Sequence, residues 1–209
     1  MIGVAVSEKP DGPFKDPLDS ALIHINSKGV VCNRDFIDPA VFIDEDGQAF
    51  LYMGQLVVNV VKLNEDMISY SGEVVLLEGT DDFFEAIWMH KYNNKYYLSY
   101  AGKSGEIKYC MGDSPLGPFE YKGVILPKMN SGTNHHSIVE YKGQWYMFYH
   151  NSDLFYANHP ELEEKFGWGH QGSHHPFRRS ICVDYLFYNK DGTIKKVIPT
   201  KEGVKPITN

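Results

Sequence analysis

Residues 85–101 read EAIWMHKYNNKYYLSYA: one glutamate, an apolar run, the pair Asn93-Asn94 and a second, aromatic run. Two β-rich runs joined by residues that tolerate a positive φ angle predict a β-hairpin. Fourteen tyrosines and twelve phenylalanines among 209 residues extend this preference for strands to the whole chain. The stretch therefore predicts an all-β fold. It also raises the question of Glu85, since a buried carboxylate is costly unless it is paired or used.

Three further segments share this layout. DPAVFIDEDGQAFLYMG begins at Asp38, HHSIVEYKGQWYMFYHN at His135 and RSICVDYLFYNKDGTIKKV at Arg179. The four starting residues are 47, 50 and 44 positions apart, and a repeat of this length with several strands per unit indicates a β-propeller. A β-sandwich with similar hairpins is the alternative, but it does not explain why each repeat begins with a polar residue.

The first residue of each repeat occupies a special place in a propeller. The innermost strand of every blade lines the central channel, so its first residues meet at one mouth of that channel. We therefore expect Asp38, Glu85, His135 and Arg179 each to begin an inner strand and to converge there.

Asp38 and Glu85 both lie in apolar sequence, FIDPAVF and FFEAIW. Apolar surroundings raise the pKa of a carboxyl group, and a neighbouring carboxylate raises it further. A glutamate kept protonated near neutral pH can donate its proton to a leaving oxygen, as glycoside cleavage requires. The purely structural alternatives are an Asp-Pro turn for Asp38 and a hydrogen-bonded position at a blade edge for Glu85.

Arg179 begins an apolar strand, where its guanidinium needs an anion or several acceptors. Its candidate partners are Asp38, Glu85, the hydroxyls of a sugar, or an acid on the opposite face of the ring. Arg178 alternates to the other side of the strand and is the poorer candidate.

Two groups of residues suggest metal sites but are better explained otherwise. Asp44, Glu45 and Asp46 lie in a predicted hairpin turn, which favours a solvated loop. Seven of the nine histidines fall between residues 135 and 175, yet none belongs to an HExxH motif or pairs with cysteines at zinc-ligand spacing. These histidines are His135, His136, His150, His159, His170, His174 and His175.

Composition excludes several classes of partner. The net charge is −7 with no basic run, which argues against nucleic acid and anionic membrane surfaces. Cys32, Cys110 and Cys182 are odd in number and far apart, so a disulfide framework is not expected. No apolar stretch reaches the length of a membrane span.

The four motifs together resemble glycoside hydrolase family 43, five-bladed β-propeller enzymes that act on arabinofuranosides and xylosides. The match covers nearly all of residues 1–199 and looks closest to β-xylosidases and arabinoxylan arabinofuranosidases. The resemblance implies a glycosidase that removes terminal arabinofuranosyl or xylosyl residues from plant polysaccharides such as arabinoxylan, with inversion. A non-catalytic sugar-binding propeller and a family 32- or 62-like relative are the alternatives.

The resemblance also implies roles by position. Glu85 matches the general acid, and Asp38 matches the aspartate that orients this acid and tunes its pKa. Arg179 and Trp88 are assigned to substrate binding. His135 matches the histidine that coordinates a calcium ion, whose shell would be mostly water because calcium prefers oxygen. The chemistry itself would not require the ion.

The sequence departs from the family pattern at the general base. That base is an aspartate in a stretch like NPDP near the start of the first blade, and no such stretch is present here, since the initial IGVAVSEKPDGPF resembles the end of a second blade. Asp11, Asp16 and Asp19 are poor substitutes.

From this departure we expect residues 1–209 to form a single partial propeller domain without the first blade and part of the second. We expect little hydrolysis by this chain alone and self-association through exposed blade edges. The full-length product is expected to be secreted or periplasmic, with a signal region upstream of this sequence.

Overall fold

The computed structural model describes residues 1–131, 133–163 and 179–207. This part of the chain is almost entirely β, which confirms the predicted fold class. Its strands are β1 (Ala40–Ile43), β2 (Ala49–Met53), β3 (Asn59–Leu63), β4 (Tyr70–Leu76), β5 (Phe83–Tyr92), β6 (Lys95–Gly102), β7 (Ile107–Gly112), β8 (Phe119–Leu126), β9 (Ser137–Tyr141), β10 (Gln144–Asn151) and β11 (Ser180–Leu186). Two short helices, α1 (Asp153–Asn158) and α2 (Pro160–Glu163), follow β10. Neither described helix has the length and apolar character needed to cross a membrane.

The strands form three antiparallel sheets. The first has the order β1-β2-β3-β4, the second β5-β6-β7-β8, and the third β11-β10-β9. Consecutive strands are neighbours in every sheet, which is the up-and-down arrangement of a propeller blade. Three sheets stacked on one another, rather than two, contradict the sandwich alternative.

The predicted hairpin turns close the first three repeats. Asn93 and Asn94 both have positive φ angles, 48° and 58°, between β5 and β6. Lys142 and Gly143, between β9 and β10, also have positive φ angles, 52° and 80°. Two consecutive positive φ angles match the twist of the flanking strands, so these turns hold each hairpin in register.

Strand β6 connects two of the three apolar cores. Its successive side chains point to opposite faces of the sheet. Leu98 is fully buried against Phe50 of the first sheet, whereas Tyr97 is buried against Met147 of the third. A strand buried on both faces lies in the middle of a stack, so the second sheet is the central layer of the described structure.

The other face of the first sheet is covered by the beginning of the chain. Ile2 and Ile23 form an antiparallel bridge and pack on Leu51 and Val61. The beginning of the chain therefore stabilises the first sheet chiefly by burying its outer apolar surface.

The fourth repeat does not begin a new sheet, which corrects the expectation for Arg179. Strand β11, which follows Arg179, pairs with β10 over seven positions, for example Cys182 with Tyr149. The second run of the repeat forms only a bridge between Tyr188 and Ile194. Spacing alone cannot separate an inner strand from a third strand; in the order β11-β10-β9, strand β10 lies between β11 and the strand that follows His135.

Candidate active site

Three of the four repeat-initial residues converge. Asp38 lies two residues before β1, Glu85 is the third residue of β5, and His135 lies two residues before β9. One ligand atom from each lies within 4.8 Å of the others. Each comes from a different sheet, so the first strands of three stacked blades bring two carboxylates and an imidazole together, as the sequence predicted.

The imidazole of His135 lies between the two acids. Its Nε2 is 3.5 Å from Oε1 of Glu85 and 3.7 Å from Oδ2 of Asp38. The His135 side chain is 41% exposed, whereas that of Glu85 is only 8% exposed. The site therefore has a solvent-facing side at His135 and a buried side at Glu85.

The backbone around the two acids is strained. Asp38 has a φ angle of 54° and Ala86 one of 61°, values that residues other than glycine rarely adopt. The register of β5 against β6 is interrupted on both sides of Glu85. Such strain costs about 1–3 kcal/mol per residue and is concentrated at functional sites in proteins. Here it turns the first residues of two strands toward each other.

The environment of Glu85 corrects the expected direction of its pKa. Burial raises the pKa of this carboxyl group, but hydrogen bonds from His135, Thr133 and Gln55, together with the charge of His135, outweigh burial and hold it below its usual value. The sequence showed the apolar neighbours of Glu85 along the chain. It did not show the donors, which come from other loops.

Arg179 reaches this network indirectly. Its Nη2 donates to Oγ1 of Thr133 at 3.1 Å, and the Thr133 hydroxyl in turn bonds to Glu85. A hydroxyl has one proton, so a Thr133 oxygen that accepts from Arg179 is free to direct that proton to the carboxylate. Within the described residues, Arg179 forms this link rather than an ion pair with either acid. Arg178 lies outside the described residues.

Two other histidines form the framework behind His135. The backbone N–H of His135 donates to Nε2 of His150 at 3.0 Å, and Nε2 of His136 lies 2.7 Å from Oγ of Ser99. Burial, with a contribution from neighbouring positive charge, lowers the pKa of His150 to about 4 and that of His136 to about 3. Both are therefore neutral hydrogen-bonding groups near neutral pH.

The zinc alternative finds no support in the described part of the chain. The one group of three or more potential ligands found there is Asp38, Glu85 and His135, which includes no cysteine and one histidine. His170, His174 and His175 lie outside the described residues.

Asp44 is not the solvated turn residue that the sequence suggested. Its side chain is only 12% exposed; its Oδ1 accepts from Nζ of Lys91 at 2.8 Å and its Oδ2 from the Tyr96 hydroxyl at 2.5 Å. Burial raises the pKa of Asp44, but the hydrogen bonds from Lys91 and Tyr96 have the larger combined effect. The pKa of Asp44 therefore lies below its usual value. Asp44 thus connects the first two sheets and does not belong to a metal cluster.

Trp88 lies on β5, three residues beyond Glu85. Its indole N–H donates to the backbone oxygen of Ile138 at 2.9 Å, and its ring packs against the core between the second and third sheets. This contact joins β5 to β9 beside the site. The role of Trp88 in substrate binding stays a prediction.

Gln55 and Thr133, which sequence reasoning missed, also shape the site, as does His150, which the sequence placed only in the group of clustered histidines. Gln55 follows β2 and donates from Nε2 to Oε2 of Glu85 at 2.8 Å. None of the three begins a repeat, so the pattern gave no signal for them. Thr133 lies two residues before the third repeat, where nothing in the repeat pattern distinguishes its hydroxyl.

Carboxylates gathered at the shared end of stacked antiparallel blades define a propeller of the glycoside hydrolase type. The family model for glycosyl hydrolases family 43 matches residues 1–194. The chain belongs to this family, and its three sheets are blades of the family's propeller.

Known relatives agree with this assignment. A β-xylosidase from Xylanibacter ruminicola is 36% identical, with 94% of this chain and 66% of that protein covered. An arabinoxylan arabinofuranohydrolase from Bacillus subtilis, solved with cellotetraose, superposes with a TM-score of 0.84 and 31% identity over 99% of this chain and 46% of that one. The structure of an α-L-arabinofuranosidase from Clostridium thermocellum superposes with a TM-score of 0.74 and is 44% identical in sequence. This match covers 95% of this chain and 65% of that one.

The relatives are longer than the chain described here. The chain spans between 35% and 66% of the length of the curated relatives that it matches.

Proposed function

We propose that this chain is part of a glycoside hydrolase that removes terminal arabinofuranosyl or xylosyl residues from plant polysaccharides such as arabinoxylan. The observation that carries the proposal is the convergence of Asp38, Glu85 and His135 from three blades. The names of the relatives, β-xylosidase and arabinoxylan arabinofuranohydrolase, support the substrate class.

Glu85 is the general acid of this proposal. It transfers a proton to the glycosidic oxygen while the bond from that oxygen to the anomeric carbon breaks, so the leaving sugar departs as a neutral alcohol. In an inverting reaction, a base takes a proton from water as the water attacks the opposite face of the sugar. We propose that this base comes from sequence outside these 209 residues.

Asp38 positions the acid and tunes its pKa. Its Oδ2 accepts from the N–H of Ala86 at 3.1 Å, which fixes the Asp38 carboxylate against the peptide that follows Glu85. A negative charge held there opposes ionisation of Glu85. A second carboxylate, on the proposed base, would oppose it further and would offset the donors that now lower the pKa of Glu85.

His135 is the candidate ligand of a calcium ion. Calcium takes six to eight oxygen ligands, whereas the cluster offers one imidazole and two carboxylates. The donors fit a hydrated ion at the exposed side of His135, with water in most of its shell and the acids supplying charge. Such an ion would add positive charge close to the scissile bond. Direct binding by Glu85 is incompatible with the acid role.

Arg179 and Trp88 are the proposed substrate-binding residues. The Arg179 side chain lies on the site side of the third sheet through its bond to Thr133. A guanidinium presents several donors in one plane, which suits vicinal hydroxyls of a pentose. Trp88 follows Glu85 by three residues on β5 and is half-buried, so the exposed part of its ring is the surface proposed to contact the sugar.

A sugar-binding propeller without catalysis is the second candidate. The lowered pKa of Glu85 favours it, because a permanently charged carboxylate accepts hydrogen bonds from sugar hydroxyls but donates no proton.

Release of nitrophenol from aryl arabinofuranosides and xylosides tests the proposal. The natural protein that contains this chain should turn over one of these substrates, and Glu85→Gln should abolish that turnover. The isolated 209-residue chain should release little. Binding of arabino- or xylo-oligosaccharides in calorimetry, without cleavage even by the full-length protein, would establish the second candidate instead.

A further inference from the structure

The loop between β2 and β3 contacts the backbone beside both acids. The N–H of Gly54 donates to the carbonyl oxygen of Ile37 at 2.9 Å, and the N–H of Leu56 donates to that of Phe84 at 2.9 Å. These acceptors belong to the residues immediately before Asp38 and Glu85. The single residue between the two donors is Gln55, which is therefore held at the centre of the contact.

Among the described residues, the Gln55 side chain makes one hydrogen bond, and that bond is to Glu85. The side chain is buried, with Nε2 2.8 Å from Oε2 of Glu85 and with Oε1 lacking a partner among the described residues. Gln48, immediately before β2, differs: its Nε2 donates to the backbone oxygens of Ala49 and Leu63. A buried amide with an unpaired oxygen is costly, which a glutamine serving only the framework would avoid.

The backbone at this point is also costly. Leu56 has φ 68°, a left-handed conformation that a branched side chain adopts at a penalty. The conformation is maintained where the Leu56 N–H meets Phe84 and where Gln55 points inward. Strain, burial and an unpaired oxygen are thus concentrated on one contact with the proposed acid.

We propose that Gln55 is a positioning residue that fixes which oxygen of Glu85 carries the transferable proton. The Gln55 amide donates to Oε2, so a proton on that oxygen would face another N–H. The proton is therefore placed on Oε1, which faces the exposed side of the site and whose neighbour at 3.5 Å, Nε2 of His135, can accept a hydrogen bond in one tautomer of the imidazole, as an amide N–H cannot. This inference rests on the proposed function, since it concerns the geometry of the acid.

The dependence of rate on the leaving group tests this role. A 2,4-dinitrophenolate leaves without protonation, whereas an unsubstituted phenol needs the acid. Kinetics with both glycosides should be measured on the natural protein that contains this chain, as wild type and as Gln55→Leu. We expect kcat with the phenyl glycoside to fall about 10- to 100-fold and kcat with the dinitrophenyl glycoside to change less than about 3-fold. KM should be nearly unchanged for both.

Two control variants separate the outcomes. Gln48→Leu removes an equivalent amide immediately before β2 and should affect both substrates equally. Glu85→Gln should show the same leaving-group pattern as Gln55→Leu, but more strongly. If Gln55→Leu does not fold, Gln55→Asn withdraws the amide by one methylene and should give the same pattern.

Equal loss on both substrates in the Gln55 variants, or no loss, overturns the positioning role while the proposed function stands. Full activity of Glu85→Gln on both substrates overturns the proposed function itself.

Discussion

The N–H of Ala86 donates to Oδ2 of Asp38 at 3.1 Å. Ala86 is the residue immediately after Glu85, so the carboxylate just before the first sheet accepts a hydrogen bond from the peptide that follows the acid of the second sheet. Both bonded residues adopt left-handed backbone angles, 54° and 61°. This hydrogen bond therefore holds the two carboxyl groups near each other, and it adds to the polar contacts between the first two sheets that Asp44 makes with Lys91 and Tyr96.

Substitution of Asp38 should separate the charge of this residue from its structural role. Asn tolerates a left-handed angle and its amide oxygen can accept from Ala86, so Asp38→Asn should keep the free energy of unfolding within about 0.5 kcal/mol. Its kcat should nevertheless fall at least about 10-fold, because the charge that tunes Glu85 is lost. Asp38→Ala should lose activity and also about 1–2 kcal/mol of stability. Urea unfolding and steady-state kinetics measure the two effects, and equal stability of both variants would contradict this division.

Thr133 should control the ionisation of Glu85. Thr133→Val keeps the shape of the side chain but removes a hydroxyl that bonds to the carboxylate, so the pKa of Glu85 should rise. Thr133→Ser keeps the hydroxyl and should leave the pKa near its wild-type position. Carbon-13 NMR titration of the Glu85 carboxyl group follows the change. An unchanged or lower pKa in the valine variant would show that Thr133 does not donate to Glu85.

Part of this site could be predicted from sequence, and the reason is periodicity. Asp38, Glu85 and His135 each begin a repeat, and in a propeller equivalent positions of consecutive blades share one end of the channel. Arg179 follows the same spacing but immediately precedes the third strand of an existing sheet. Spacing reports the distance along the chain between strands and does not report the partner with which each strand pairs.

The hydrogen-bond partners of the acid could not be predicted in this way. Gln55 lies 30 residues from Glu85 and Thr133 lies 48 residues from it, each in a loop whose path depends on the packing of whole blades. The expected direction of the Glu85 pKa was wrong for the same reason. Its sequence neighbours are apolar, but the groups that decide its ionisation come from elsewhere in the chain.

His90 should make stability depend on pH. It is buried, its Nε2 lies 2.9 Å from the Tyr188 hydroxyl, and burial lowers its pKa to about 3. The unfolded chain takes up a proton below a pH of about 6.5, whereas the folded chain does so only near pH 3. The free energy of unfolding should therefore decrease as the pH falls through this range, by up to about 1.4 kcal/mol per pH unit for this group.

Urea unfolding at several pH values checks this dependence. Replacing His90 with Gln removes the titrating group and should reduce the slope of stability against pH between 6 and 4. His24, which is exposed, provides the control, since His24→Gln should leave the slope unchanged. An unchanged slope in the His90 variant would assign the acid sensitivity to other groups.

Gly79 and Gly47 form a matched pair for testing how the second sheet is closed. Both have positive φ angles, 81° and 86°, so alanine at either position should cost about 1 kcal/mol from backbone conformation alone. A Cβ at Gly47 would meet no atom within 4 Å. A Cβ at Gly79 would overlap the carbonyl oxygen of Phe119, the first residue of β8.

The carbonyl oxygen of Gly79 also accepts from the Cys110 thiol at 3.2 Å, so the loop cannot move away without losing that contact. Gly79→Ala should therefore destabilise the chain by about 3 kcal/mol or more, and Gly47→Ala by about 1 kcal/mol. Equal denaturation midpoints for the two variants would mean that the loop before β5 does not pack against β8 in this way.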